Sequence, residues 1–228
     1  MTPGALQGIA QRVARTQDAP NSVSSTFHQA SFQAEPAQGT LRRANGARVA
    51  VLPADFLLAL HLHLFERFAE NAQNVLYRCG YEQGLQDMVR LNQELRDQYG
   101  SGSFDFWQMD EKFILDSWWA QLAQAGWGRC TFDLTALSRG ITVVELEHSP
   151  IAAALGHTEH PTCHFLAGLF AGVTSFYQRA ERHATELECC ATGADRCRFV
   201  VAGGGAVDSA EGWRQQGVAA AEIIRRLH

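Results

Sequence analysis

The chain has 228 residues, 46% hydrophobic and 19% charged, with a formal net charge of −5. That length suits one large domain, or one and a half small ones, around a real core, and the composition is that of a globular protein. The acidic balance and scattered arginines exclude a basic nucleic-acid footprint, and no run reaches the roughly 18 apolar residues of a membrane span. Residues 1–21 lack the long apolar region of a secretory signal. We therefore expect a cytoplasmic location, where six cysteines serve as metal ligands or free thiols rather than disulfides.

Residues 1–46 read as an N-terminal arm or linker. Leu6, Ile9 and Val13 stand at helical spacing, and Ser22–Asn45, with Pro36, reads as extended chain with short strands around Phe27 and Phe32. Compact folding is expected from Ala47. Arg48–Leu52 reads as a strand. Pro53-Ala54-Asp55 opens a helix to about Ala69, with Phe56, Leu57, Leu60, Leu64 and Phe68 on its apolar side. A second helix covers Asn71 to Gly80 and continues or restarts through Gly84 to Tyr99, before Gly100-Ser101-Gly102-Ser103. Asp110–Ala125 reads as a helix with Phe113, Ile114, Trp118 and Leu122 apolar, stopped by Gly126 and Gly128.

The rhythm then changes to strands. Gly128–Leu134 and Gly140–Glu147 alternate on either side of a turn near Ser138-Arg139-Gly140. Pro161–Arg182 repeats Phe165, Leu169, Val173 and Phe176 at near-helical period. Glu186–Cys190 and Cys197–Val201 read as a closing hairpin. Gly203-Gly204-Gly205 reads as a flexible linker, followed by a short exposed helix over Ala210–His228. The order is mixed α and β, without a glycine fingerprint for a dinucleotide.

Cys163, Glu186, Cys189 and Cys197 are the most informative residues. Soft ligands stand on both sides of the Gly193 turn, as a small tetrahedral metal site requires, and zinc takes thiolate, imidazole and carboxylate. On a flat strand Glu186 and Cys189 face opposite ways, so their convergence needs a bulge or a change of backbone state between them. His183 or water stands as the alternative fourth ligand. Three thiolates and a carboxylate leave no open position, which makes the ion structural.

Pro161-Thr162-Cys163-His164-Phe165-Leu166-Ala167-Gly168-Leu169-Phe170-Ala171-Gly172, with Glu186-Leu187-Glu188-Cys189 and Gly193-Ala194-Asp195-Arg196-Cys197-Arg198-Phe199, resembles the 4-vinyl reductase domain family. The family includes bacteriochlorophyll 4-vinyl reductase proteins and the sensory regions of phenol- and xylene-responsive activators. The resemblance implies an α/β (α+β) fold, an antiparallel sheet packed with helices, related to haem-NO-binding domains and a vesicle-tethering subunit. It implies zinc held by three cysteines and one glutamate, here Cys163, Glu186, Cys189 and Cys197. It also implies a homodimer in which the arm can swap between protomers. Cys79-Gly80-Tyr81-Glu82-Gln83-Gly84 resembles a Gly-Tyr-x-x-Gly element of the activators, so residues 47–148 are expected as a sensory-like companion segment to a zinc-binding domain at 149–202, with 203–228 a linker and C-terminal helix. Leu146 falls where the activators place a phenol-contacting Trp, and their contacting His has no clear counterpart.

Aromatic residues are dense. Trp107, Trp118, Phe132, Phe165, Leu169 and Tyr177 are the candidate lining of a pocket for a flat hydrophobic ligand, although such side chains by themselves also build cores. His61 and His63 point apart on a helix and cannot share a metal. His164 is the candidate axial ligand if a tetrapyrrole binds. No nucleophile elbow, nicotinamide or flavin fingerprint, or acid pair at catalytic spacing is present. The reading favours a zinc-stabilised module that senses or carries a hydrophobic, aromatic molecule over an enzyme; the alternative is a vinyl reductase-like protein that binds or delivers a vinyl tetrapyrrole.

Overall fold

Four glycines let two helices cross with their backbones nearly touching, and that crossing organises the fold. The computed structural model describes residues 32–43, 46–69, 71–100 and 105–228. The expected helix before residue 21 and the strand at Phe27 lie outside these residues. The described chain begins with an antiparallel ribbon of β1 (Phe32–Glu35), β2 (Thr40–Arg43) and β3 (Arg48–Val49). β3 is shorter than the expected strand, and Val51 and Leu52 run on exposed at 81% and 56%. Helix α1 (Ala54–Phe68) follows. It buries Leu58 and His61 and leaves Phe56, Leu60, Leu62, Phe65 and Phe68 in solvent.

Helix α2 (Asn71–Tyr99) runs unbroken for 29 residues. Gly80 and Gly84 do not interrupt it, because each is placed against the backbone of helix α5 (His164–Gln178). A Cβ on Gly80 would lie 1.9 Å from the Phe165 carbonyl oxygen, and one on Gly168 would lie 1.9 Å from that of Tyr77. The expected Gly168-x-x-x-Gly172 packing is therefore made against a helix rather than against the sheet. Helix α3 (Glu111–Gln124) starts where the Asp110 carboxylate accepts from the Phe113 N–H.

The larger sheet contains β4 (Arg129–Asp133), β5 (Thr142–Glu147), β6 (His183–Glu188) and β7 (Cys197–Ala202), all antiparallel, in the order β4-β5-β7-β6. One face packs on α2, α3 and α5 through Phe132, Val144, Leu146, Phe199 and Val201. The other is covered by α6 (Gly204–Gln215) and α7 (Ala220–Leu227) through Leu187, Val200, Ala202, Val207, Ala210, Ile223 and Leu227. The α+β class is thus as expected. The glycine triplet is not a linker: Gly203 caps α6 and Gly204 and Gly205 form its first turn. Nor is the C-terminal helical region merely exposed, since Ile223 is fully buried.

Helix α5 is shorter than the expected Pro161–Arg182. Cys163 precedes it with φ −85° and ψ 41°, and Arg179 ends it in the left-handed region. Between β5 and α5 lies a short helix missing from the sequence reading, α4 (Pro150–Leu155), with Ser149 as cap and Pro150 at its start. No described helix is long and apolar enough to cross a membrane.

Candidate metal centre

Three backbone devices bring four ligand atoms together. The residue before α5 sets Cys163. In β6, the register slips between Glu186, opposite Phe199, and Glu188, opposite Arg198. This β-bulge reverses the side-chain alternation after Glu186 and sends Cys189 to the same face. A tight turn over Cys190–Thr192, closed by Gly193 at φ +96°, then returns the chain to Cys197 at the start of β7; glycine supplies that left-handed conformation without a Cβ clash. The turn is held by the Thr192 hydroxyl donating to the Cys189 carbonyl at 2.8 Å, and the Thr158 N–H donating to the Ala191 carbonyl at 2.8 Å.

The result is a closed cluster. One ligand atom each from Cys163, Glu186, Cys189 and Cys197 lie within 4.8 Å of one another. The cysteines are fully buried and Glu186 is 4% exposed. The sulfur separations are 3.8 Å for Cys163–Cys197 and 4.0 Å for both Cys163–Cys189 and Cys189–Cys197. A tetrahedral ion with metal–sulfur bonds of about 2.3 Å has sulfur edges of about 3.8 Å. Glu186 Oε2 accepts the Cys163 N–H at 2.8 Å, whereas Glu186 Oε1 is buried without a hydrogen-bond partner. An unpartnered carboxylate oxygen beside three sulfurs at tetrahedral edge lengths fits a divalent ion.

Electrostatics support the same fit. Burial pushes Glu186 well above the usual carboxylate range, and the Cys189 charge pushes it further. Hydrogen bonds to Cys189 and Cys197 raise Cys163, with burial adding to them. Cys189 goes the other way, lowered by hydrogen bonds from Cys163 and Cys197. Four acidic groups enclosed together cannot all ionise unless a cation joins them.

The six candidate pocket residues border α5 in three places. Phe165 meets Trp127 at 5.8 Å near the cluster. Trp118 and Phe132 pack around Phe170, with Trp119 and Phe199 completing the group, and Leu169 is buried in the same core. Trp107 stacks on Phe176, and Phe106 lies edge-on to Tyr177, at the far end of the helix. Trp118 Nε1 donates to Asp87 Oδ2 at 3.2 Å, and Tyr177 Oη donates to the Met109 carbonyl at 2.8 Å. Leu146 is fully buried in this core. His164 is half-buried beside Phe65, with ring centroids 6.4 Å apart; burial lowers it to about 4, so its ring is neutral at pH 7. His183 is not among the four clustered residues. The sequence reading missed Ser149, whose hydroxyl lies 3.4 Å from Cys163 Sγ, and Thr162, whose hydroxyl lies 3.6 Å from Cys189 Sγ. Ser149-Pro150 carried a helix-start signal; nothing marked Thr162.

The family model of the vinyl-4-reductase domain matches residues 142–202. No match was found among curated proteins. Among solved structures, the phenol-responsive sensory domain of the transcription activator PoxR, determined with phenol, is similar at 19% identity, covering 89% of this chain and 91% of that chain with a TM-score of 0.59. A vinyl-4-reductase family protein from Methanocaldococcus jannaschii is 19% identical over 67% of this chain and 82% of its own, with a TM-score of 0.46. Trafficking protein particle complex subunit 3 from Naegleria fowleri, covalently bound to palmitic acid, is 14% identical over 65% and 91%, with a TM-score of 0.43. The segment from Thr142 to Ala202, which holds all four clustered residues, is a vinyl-4-reductase domain.

Proposed function

We propose that this protein is a binding module: a zinc-clamped sensor or carrier of a hydrophobic, aromatic small molecule. The observation that carries the reading is the buried Cys163–Glu186–Cys189–Cys197 cluster at tetrahedral edge lengths, set in a fold like that of a phenol-responsive sensory domain. Zinc suits the donor set, and four protein ligands leave no place for substrate, so the ion is structural. It would tie the β6–β7 turn to the start of α5, the helix bordered by Trp107, Trp118, Phe132, Phe165, Leu169 and Tyr177. Leu146 offers no polar contact, which favours a ligand recognised mainly by apolar surface. The proposed division is an arm at 1–46, a sensory-like segment at 47–148, the zinc-binding domain at 149–202 and a closing segment at 203–228.

A homodimer belongs to this reading. Phe56, Leu60 and Phe68 on α1 are 45%, 39% and 48% exposed and continue the exposed Val51 and Leu52, an apolar surface suited to a second copy. The free thiols of all six cysteines agree with a reducing cytosol. A vinyl tetrapyrrole is the alternative ligand, favoured by the half-buried His164 imidazole next to a clustered cysteine and by the family match.

Native mass spectrometry of protein isolated from its own host reads metal, ligand and subunit number together. One zinc per chain, an aromatic adduct and a dimer are expected. A chain that carries no metal in the absence of chelators refutes the clamp. A visible band shift on adding a vinyl porphyrin, with no tryptophan quenching by simple aromatics, replaces the first ligand class with the second.

A further inference from the structure

Each clustered ligand side chain receives a hydrogen bond from a group other than those side chains. Glu186 Oε2 takes the Cys163 N–H at 2.8 Å, and Cys197 Sγ takes the Cys190 N–H at 3.4 Å. The Ser149 hydroxyl lies 3.4 Å from Cys163 Sγ, and the Thr162 hydroxyl 3.6 Å from Cys189 Sγ. Ser149 Oγ already accepts the Ala152 N–H at 3.3 Å, so its own proton remains available to the sulfur. A thiolate has no proton to give, so toward a metal-bound sulfur both hydroxyls must be donors.

The two contacts have a physical purpose. Three thiolates and a carboxylate outweigh a divalent ion in charge, and the cluster is buried, where uncompensated charge is costly. Backbone N–H groups serve Cys197 and Glu186. Cys163 and Cys189 depend on side chains. We propose that Ser149 and Thr162 are positioning residues for the metal: their hydroxyls withdraw charge from the Cys163 and Cys189 thiolates and so set how tightly the ion is held. This inference rests on the zinc-clamp reading above.

The test uses the full chain with Thr162→Val and Ser149→Ala, and with Thr162→Ser and Ser149→Thr as variants that restore a hydroxyl. Zinc affinity is read by chelator competition and the thiolate-to-metal charge-transfer band by cobalt(II) substitution. Loss of an outer donor commonly weakens metal binding 10- to 100-fold, so roughly a tenfold loss is expected for Thr162→Val. The band moves to longer wavelength as the sulfur becomes more electron-rich, and Thr162→Ser recovers both readouts. Ser149→Ala behaves alike and also loses the α4 cap, whereas Thr162→Val touches no cap. Unchanged affinity and band in Thr162→Val overturn the inference and leave the clamp standing. Weakened affinity with an unmoved band marks a packing effect and also overturns it. A parent protein with no tetrahedral cobalt spectrum overturns the clamp itself.

Discussion

Replacing Gly168 by alanine tests the helix crossing directly. The new Cβ would stand 1.9 Å from the Tyr77 carbonyl oxygen and 2.7 Å from its carbon. Contacts below 3.0 Å do not survive, so α2 and α5 must separate by about 1 Å. Neither side can yield locally, because both atoms belong to helix backbone. Tyr77 is also fixed at its far end, where its hydroxyl accepts the Ala184 N–H of β6 at 3.0 Å. A gap of this size forfeits a quarter to a half of each dispersion contact along the seam, and overpacking alone costs about 1–3 kcal/mol. Helix propensity returns about 1 kcal/mol. We expect a net loss of about 3 kcal/mol. Gly212→Ala is the control: Gly212 lies within α6, and a Cβ there would meet no atom within 4 Å, so the same substitution should stabilise by about 0.5–1 kcal/mol. Guanidinium unfolding at fixed zinc concentration reads both. With a slope of about 4–6 kcal/mol/M, the midpoint should fall by about 0.5–0.8 M for Gly168→Ala and rise slightly for Gly212→Ala. A Gly168→Ala midpoint at or above the parent's would refute the backbone contact.

Further outcomes follow from single contacts. Cys197→Ala should abolish stoichiometric zinc and lower the melting temperature sharply, since ligand loss is coupled to folding; elemental analysis and thermal scans check it, and an undiminished zinc content sinks the ligand assignment. Trp118→Phe deprives buried Asp87 of one donor, though Gln83 and Arg90 still serve its other oxygen; we expect a loss of about 1–3 kcal/mol in urea unfolding. Burial would raise Glu211, but hydrogen bonds from Arg214, Thr185 and Gln215 outweigh it and hold the carboxyl at about 2. Its folded value lies below its ordinary one, so its stabilisation is full above the ordinary carboxylate range and is lost as pH falls toward 2. After allowance for solvent screening, Glu211→Gln should cost about 1–2 kcal/mol at pH 7, and that cost should narrow at pH 3; a cost independent of pH argues against the ion-pair account.

Helix periodicity exposed α1, α2 and α3 nearly to their ends, because each carries an uninterrupted apolar stripe. The bulge in β6 was legible as a necessity, since Glu186 and Cys189 can share a face only if the alternation slips between them. Other features were not legible for physical reasons. Gly80 and Gly84 resemble helix breakers in isolation, and only the facing Gly168 and Gly172 explain their place. Gly203-Gly204-Gly205 has the composition of a linker, and its helical state is stabilised from outside by α6 burying Val207 and Ala210 on the sheet. The spread of the candidate aromatic residues along α5 depends on tertiary packing that spacing cannot reveal. Thr162 is adjacent to a ligand in sequence yet serves a different one, 27 residues away.

Strand β7 is the last of the described strands to leave the ribosome and the only neighbour that β5 and β6 have in common. Until Cys197–Ala202 emerges, β6 has no strand to join and the fourth ligand is missing. Nascent chains halted short of that point must shelter the aromatic face of α5 without a sheet, and the ion has no finished cage to enter. Metal capture and sheet completion are therefore a single late event, and chaperone demand should fall abruptly once those six residues are available.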